Sequence, residues 1–273
     1  MLRHYDQILS RYVEIMEFNM YGLPMIGADI CGFQFNTTVD LCARWSTLGA
    51  FYPFSRNHND HDTIEQDPVM LGDIVVSAAR KAVRMRYQLL PYLYTLFYEA
   101  HISGDPVIRP LFFEFLNDST AYVIETQFMW GSALMIVPGL SNETTTEAYF
   151  PAANWYNFNT SQLITDKATT QKLEMELDEI TVAQKGGSII PTQDYAMTTA
   201  ESRKTPFRII AALDNSGSAS GSLFWDDGES IGTVSLGSYN LINFKIEKVI
   251  IHNITNQWLD FNQNSLGYFH IKS

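Results

Sequence analysis

A change of periodicity near Phe115 constrains this chain more than any other feature. Before it, helical and strand-like patterns alternate; after it, short strand-like runs follow one another without a comparable helical pattern. From Asp6 to Met20 the apolar residues Ile8, Tyr12, Ile15, Met16 and Met20 recur at helical spacing, and Gly22 followed by Pro24 supplies a stop. The run LPMIGADICGF comes next and predicts a strand buried on both faces, with Asp29 at its carboxyl end. A long helical pattern over 71–101 carries Val75, Ala82, Leu89, Leu93 and Leu96, with a kink expected at Pro91 and an end at Gly104. The segment VIRPLFFEF predicts another strand. Beyond it ALMIVP, EAYFP and GSIIP are separated by clusters of Gly, Pro, Asn and Thr, as in a β-sandwich. A break near Pro206 leads to FRIIAAL, SLFWDD and NFKIEKVII. The fold class read from this order is α/β plus β: an α/β barrel end joined to β-sandwiches. The expected domains are residues 1–114, 115–206 and 207–273.

The 273 residues are 46% hydrophobic and 13% aromatic, enough for sizeable cores. A formal charge of −12 without clustered Lys and Arg argues against a nucleic-acid partner. No apolar run approaches the ~18 residues that span a bilayer, and the start MLRHYDQ lacks the features of a signal peptide. Cys31 and Cys42 fit a small disulfide loop in an oxidising compartment or two buried thiols in the cytosol. Asn36, Asn117, Asn142, Asn159 and Asn253 each open an N-x-S/T sequon, which favours the secretory pathway.

Asp29, Arg56 and His58 lie among Phe33, Trp45, Phe51 and Phe54 in the stretch from GADICGF to FSRNHN. Hydrogen-bonding groups beside aromatic faces suit a sugar, whose hydroxyls ring an apolar face. A polar residue at a strand end is, however, more often a cap or a buried ion-pair partner. Asp226-Asp227-Gly228-Glu229 reads as a hairpin turn rather than a metal loop, so no metal and no cofactor are assigned. Arg80, Lys81, Arg84 and Arg86 read as a solvated basic helix face, and His61 and His101 as surface or capping residues.

The stretch EFNMYGLPMIGADICGFQFNTTVDLCARWSTLGAFYPFSRNHN resembles the last third of the barrel in glycoside hydrolase family 31. RYQLLPYLYTLFYEAH, VIRPLFFEF, WGSALMIVP, YFPAANWYNF, GGSIIP and LFWDDGES follow in that family's order. The likeness reaches about Ser230 and is strongest to the eukaryotic α-glucosidases of the acid α-glucosidase, maltase-glucoamylase and sucrase-isomaltase group. It implies the end of a (β/α)8 barrel, a proximal β-sandwich and the start of a distal β-domain. It also implies that Asp29 hydrogen-bonds the nonreducing glucose, that Phe33 lines the same subsite, and that His58 contacts the same sugar. Arg56 is then a structural ion-pair partner, Trp45 a structural residue near the site, and Cys31 and Cys42 a disulfide with Asn36 inside its loop.

The resemblance further implies a retaining hydrolase acting on oligosaccharides or other α-glucosides with two carboxylates. The family's WxDMNE-like nucleophile stretch does not occur, and the acid/base aspartate aligns immediately before Met1. No catalytic residue is therefore assigned within the chain, and both carboxylates are expected upstream. The alternatives are a noncatalytic carbohydrate-binding or scaffold remnant, or another family 31 specificity such as α-xylosidase or glucosidase II.

Overall fold

The computed structural model describes residues 2–247 and 267–270. Helix α1 (Leu2–Met20) opens the chain, and Ile8, Tyr12, Ile15 and Met16 are buried along one face, as their spacing predicts. It ends at Gly22, which adopts a φ of +85° that suits glycine, while Leu23 N–H returns to the Phe18 carbonyl at 3.0 Å. Strand β1 (Asp29–Ile30) is much shorter than the buried strand expected there. Only those two residues ladder, in parallel with β2 (Arg56–Asn57), and Leu23 and Met25 stay exposed. With only β2 beside it among the described residues, the apolar run has no second strand to cover it.

Between these strands lies α2 (Val39–Gly49), capped by the Thr38 hydroxyl, which accepts from Leu41 N–H at 3.3 Å. The expected kinked helix is instead three helices, α3 (Pro68–Leu71), α4 (Asp73–Gln88) and α5 (Leu90–Ser103). Pro91 sits in the first turn of α5, where its missing N–H costs nothing, so the chain breaks at Leu89 rather than bending through it. Gly104 closes α5 in the left-handed conformation. The expected VIRPLFFEF strand contracts to β3 (Ile108–Arg109), because after Pro110 the chain turns into α6 (Leu111–Glu114).

Strands β4 (Phe128–Trp130), β5 (Leu134–Val137), β6 (Thr145–Phe150), β7 (Trp155–Asn157), β8 (Leu163–Thr165), β9 (Thr169–Glu174) and β10 (Thr181–Lys185) follow. Five of them join β3 in one sheet of order β3-β4-β5-β10-β7-β8, and β6 pairs separately with β9. Phe128, Trp130, Leu134 and Ile136 face the helices, whereas Met129, Met135 and Val137 join Phe150 and Trp155 in a second core. With both faces covered, β4 and β5 are continuously apolar instead of alternating.

A further sheet has the order β14-β13-β11-β12-β15, from β11 (Ser188–Thr192), β12 (Arg208–Ala212), β13 (Ala219–Trp225), β14 (Asn240–Ile246) and β15 (Gly267–His270). Strands β11 and β12 pair antiparallel across Pro206, so the break expected there falls inside one sheet. The segment Asp226–Ser230 turns, but it is no tight hairpin: α7 (Thr199–Ser202) lies before β12, and α8 (Thr233–Leu236) fills the connection from β13 to β14. Of the NFKIEKVII run, the part after Glu247 lies outside the described residues, as does Asn253. Ile190, Ile210 and Ala212 of this sheet join α1, α2, α4, α5 and the first sheet in one large core. Tyr98 of α5 stacks on Phe224 of β13 with ring centres 4.3 Å apart. No described helix is long and apolar enough to cross a membrane.

Candidate functional site

The site starts from the short parallel ladder. Phe54 N–H donates to the Ile26 carbonyl at 3.1 Å, and the Phe54 carbonyl lies where any side chain at Gly27 would point, 1.7 Å from an ideal Cβ. Glycine at position 27 thus lets the two chains approach, and the register sets Asp29 opposite Arg56. The Arg56 guanidinium donates to Asp29 Oδ1 through Nε at 2.9 Å and through Nη2 at 2.7 Å, and it lies 5.8 Å over the Phe54 ring. Asp29 Oδ2 has no partner among the described residues, so half of an oriented carboxylate is left to accept hydrogen bonds.

The loop after β1 is fixed from several sides. A disulfide joins Cys31 to Cys42 of α2, the second of the two alternatives open from spacing now being excluded. Cys31 and Gly32 both take positive φ, 71° and 88°, and turn the chain so that Phe33 points outward. Gln66 Nε2 donates to the Gly32 carbonyl at 2.9 Å, and Asp60 N–H to the Phe33 carbonyl at 2.9 Å. Trp45 is buried beneath Gly32 and donates from Nε1 to the Tyr52 hydroxyl at 3.1 Å. Burial pushes that hydroxyl's pKa up.

A cleft of about 440 Å³ opens in front of this arrangement, with Asp29, Phe33, Trp45 and Arg56 in its wall. His58 packs its ring 5.5 Å from Phe33 and is exposed, but it does not line the cleft formed by the described residues. The opposite wall was not anticipated: α1 contributes Gln7, Arg11, Glu14 and Phe18, with Arg11 and Glu14 paired at 2.8 Å. The signal was present, since Gln7, Arg11, Glu14 and Phe18 recur at helical spacing on the face beside that of Ile8, Tyr12 and Ile15.

Two arginines have functions the sequence reading did not assign. Arg86, expected to be solvated, donates to the carbonyls of Ala50, Tyr52 and Pro53 at 2.6, 2.6 and 2.9 Å, and burial lowers its pKa to about 10. It thereby holds the backbone that leads into Phe54 and Arg56. Of the other basic residues on that face, Lys81 pairs with Asp178 at 2.6 Å and Arg84 covers the Tyr195 ring. Arg44 is 1% exposed and donates to the carbonyls of Ser141, Glu143, Met175 and Glu176, joining α2 to the β-domain loops. The sequon residues Asn36, Asn117, Asn142 and Asn159 are exposed, and Asn36 Oδ1 accepts from Ile64 N–H at 2.9 Å.

The profile of the glycosyl hydrolases family 31 TIM-barrel domain matches residues 3–96, and that of the glycosyl hydrolase family 31 C-terminal domain matches residues 104–190. The chain belongs to glycoside hydrolase family 31. Within the family it is 46% identical over 259 residues to the lysosomal alpha-glucosidase of Rattus norvegicus, a match covering 88% of this chain and 27% of the relative. It is 44% identical over 271 residues to the probable maltase-glucoamylase 2 of Homo sapiens, covering 98% of this chain and 11% of that protein. The crystal structure of glucosidase II alpha subunit superposes with a TM-score of 0.85 at 28% identity, over 89% of this chain and 27% of that one. The chain thus spans about a quarter or less of the length of these relatives. As a family 31 member it carries the expected carboxyl-terminal part of the TIM barrel followed by β-sheet domains.

Proposed function

We propose that this chain forms the sugar-holding side of a retaining α-glucosidase pocket, with Asp29 accepting hydrogen bonds from the hydroxyls of a terminal glucose. The carrying observation is the half-paired carboxylate in the cleft wall: Arg56 fixes Oδ1, and Oδ2 has no partner among the described residues. Phe33, 41% exposed, offers an aromatic face for the sugar ring, and His58 buttresses that face. The names of the relatives support α-glucosides as substrates. The nucleophile and the acid/base are assigned to polypeptide outside this chain, so by itself the chain binds without hydrolysing. The disulfide and the sequons support passage through the secretory pathway.

The test is a chimera in which this chain replaces the matching segment of rat lysosomal alpha-glucosidase, compared with the same chimera carrying Asp29→Asn. The amide keeps the shape but loses the charge that strengthens hydrogen bonds as the sugar distorts toward the transition state. kcat/KM should fall by about 2–4 kcal/mol at unchanged melting temperature, while the isolated chain turns over no p-nitrophenyl α-glucoside. Near-normal kinetics in a stable Asp29→Asn chimera, or turnover by the isolated chain, would refute the assignment.

A further inference from the structure

We infer that Asn117 carries an N-linked glycan whose innermost sugar covers an apolar patch on the β-domain surface; this rests on the secretory reading above. The four exposed sequons differ in what their side chains already do. At Asn36 the carboxamide oxygen accepts from Ile64 N–H, and the hydroxyl of its sequon, on Thr38, caps α2. Asn159 lies in the wall of two clefts. Asn117 is different. It sits at the third position of a turn closed by Asp118 N–H on the Phe115 carbonyl at 3.0 Å, and neither its carboxamide nor the Ser119 hydroxyl has a partner among the described residues.

Around Asn117 several large apolar side chains are exposed. Leu116 is 66% exposed, Tyr122 53% and Val123 76%. Leu116 and Tyr122 adjoin because the Tyr122 hydroxyl donates to the Leu116 carbonyl at 2.5 Å, while the Tyr122 ring lies 6.2 Å from Phe112, and Val123 follows next in the same turn of 3-10 helix. The patch is anchored from beneath, where Tyr149 donates to Asp118 Oδ2 at 2.6 Å and Phe115 packs 6.0 Å from Trp155. A rigid, exposed apolar patch needs an occupant, and Asn117 stands at its edge with a carboxamide that has no partner among the described residues. Asn142, the other sequon with an unengaged carboxamide, has no exposed large apolar residue within three positions on either side, Leu140 being half-buried. A pyranose presents an apolar face of C–H groups that suits an aromatic ring and two branched side chains, and the rest of the glycan remains in water.

In the modification, Asn117 Nδ2 bonds to the anomeric carbon of a polyprenyl-pyrophosphate-linked oligosaccharide, supplied with its transferase in the endoplasmic reticulum. The carbon–oxygen bond to pyrophosphate breaks, the lipid pyrophosphate leaves with the electron pair, and one amide proton passes to base.

The experiment secretes the full chain behind a cleavable signal peptide from insect cells and maps glycopeptides at each sequon. Asn117 should be occupied, trimming the glycan to a single N-acetylglucosamine should leave the melting temperature unchanged, and both Asn117→Gln and Ser119→Ala should lower it by about 2–4 °C and increase binding of an apolar dye. Two variants that remove the glycan through different side chains separate loss of the sugar from loss of Asn117 itself. An unmodified Asn117 beside a modified Asn142 overturns the site while leaving the secretory reading intact. An occupied Asn117 whose loss changes neither stability nor dye binding overturns the covering role. The secretory reading fails separately, if the protein isolated from its own cells has free thiols at Cys31 and Cys42.

Discussion

Arg44 is the residue whose replacement should most clearly expose how the barrel part and the β-domain depend on each other. Its guanidinium is buried and reaches four main-chain carbonyls, at 3.1 Å to Ser141, 2.6 Å to Glu176, 2.5 Å to Glu143 and 3.0 Å to Met175. Gly139 leaves room for it, since an ideal Cβ there would lie 2.6 Å from the guanidinium carbon. Desolvation lowers the Arg44 pKa, opposed by Tyr5 and then by the nearby carboxylates of Glu176, Glu179 and Asp178. Arg44→Met keeps the volume of the stem and removes every donor. Each hydrogen bond from a charged donor contributes about 1.5–3 kcal/mol, and each buried acceptor left alone costs about 1–3 kcal/mol. Four in full would be implausibly large, because the loops that supply the carbonyls reach the surface and water can replace some of them. A loss of about 3–5 kcal/mol is therefore expected, the range found when a buried charge network is broken. Arg44→Lys retains the charge but spans fewer of the four carbonyls, so it should fall between. Urea unfolding of the two variants measures this. An Arg44→Met protein within about 1 kcal/mol of the parent would show that the carbonyls are satisfied otherwise and the reasoning is wrong.

Three other outcomes follow from the geometry. Arg56→Lys in the α-glucosidase chimera should lower kcat/KM by about tenfold with little change in melting temperature, because a point charge cannot hold Asp29 Oδ1 through two donors; unchanged kinetics would mean Asp29 needs no orientation. The Cys31→Ser/Cys42→Ser variant, whose bridge joins residues 11 apart, should lose about 3 kcal/mol in denaturant titration, and a loss below about 1 would contradict the bridge's constraint on the unfolded chain. Stability should fall as pH drops from about 4 toward 2. The Ser230 hydroxyl and the N–H groups of Ser230 and Glu229 hold Asp227 at about 2, and hydrogen bonds also hold Asp178, Asp214 and Asp226 low despite partial burial. The unfolded chain therefore binds more protons in that window. Asp60 is lowered as well by its hydrogen bonds to His61, and Glu99, raised by burial, acts in the opposite sense as one group against five. Thermal melts at pH 4.5 and pH 2.5 should show the drop, and Asp227→Asn should reduce it; equal melting temperatures at the two pH values would refute the sign.

Where a residue's role follows from its own side chain and its near neighbours, the sequence conveyed it. Ile8, Tyr12, Ile15 and Met16 are all buried because a helix with that spacing has only one apolar stripe. The runs FMW and LMIV are continuous because helices cover one face and the β6–β9 layer the other. LPMI, by contrast, is equally apolar yet forms no strand and leaves Leu23 and Met25 exposed, since apolarity alone specifies no pairing partner. Arg44 and Arg86 were illegible for a similar reason. Their partners are main-chain carbonyls, which every residue has, on segments up to 132 positions away. A guanidinium reads as a surface charge until the fold brings those carbonyls to it.

Asp29 and Phe33 reach the cleft only because two elements behind them are fixed. Arg86 holds residues 50–53, which lead into the strand carrying Arg56. Arg44 holds α2 against the β-domain, and α2 carries Cys42, whose bridge to Cys31 turns the chain toward Phe33. Neither arginine touches the cleft, yet each clamps one side of the Asp29–Arg56 ladder from the rear. A two-residue ladder has too few backbone hydrogen bonds to hold a carboxylate within the tolerance that sugar recognition needs. On the proposed sugar-binding reading its precision comes from these clamps, while the two large β-sheets behind them contribute no residue to the cleft wall.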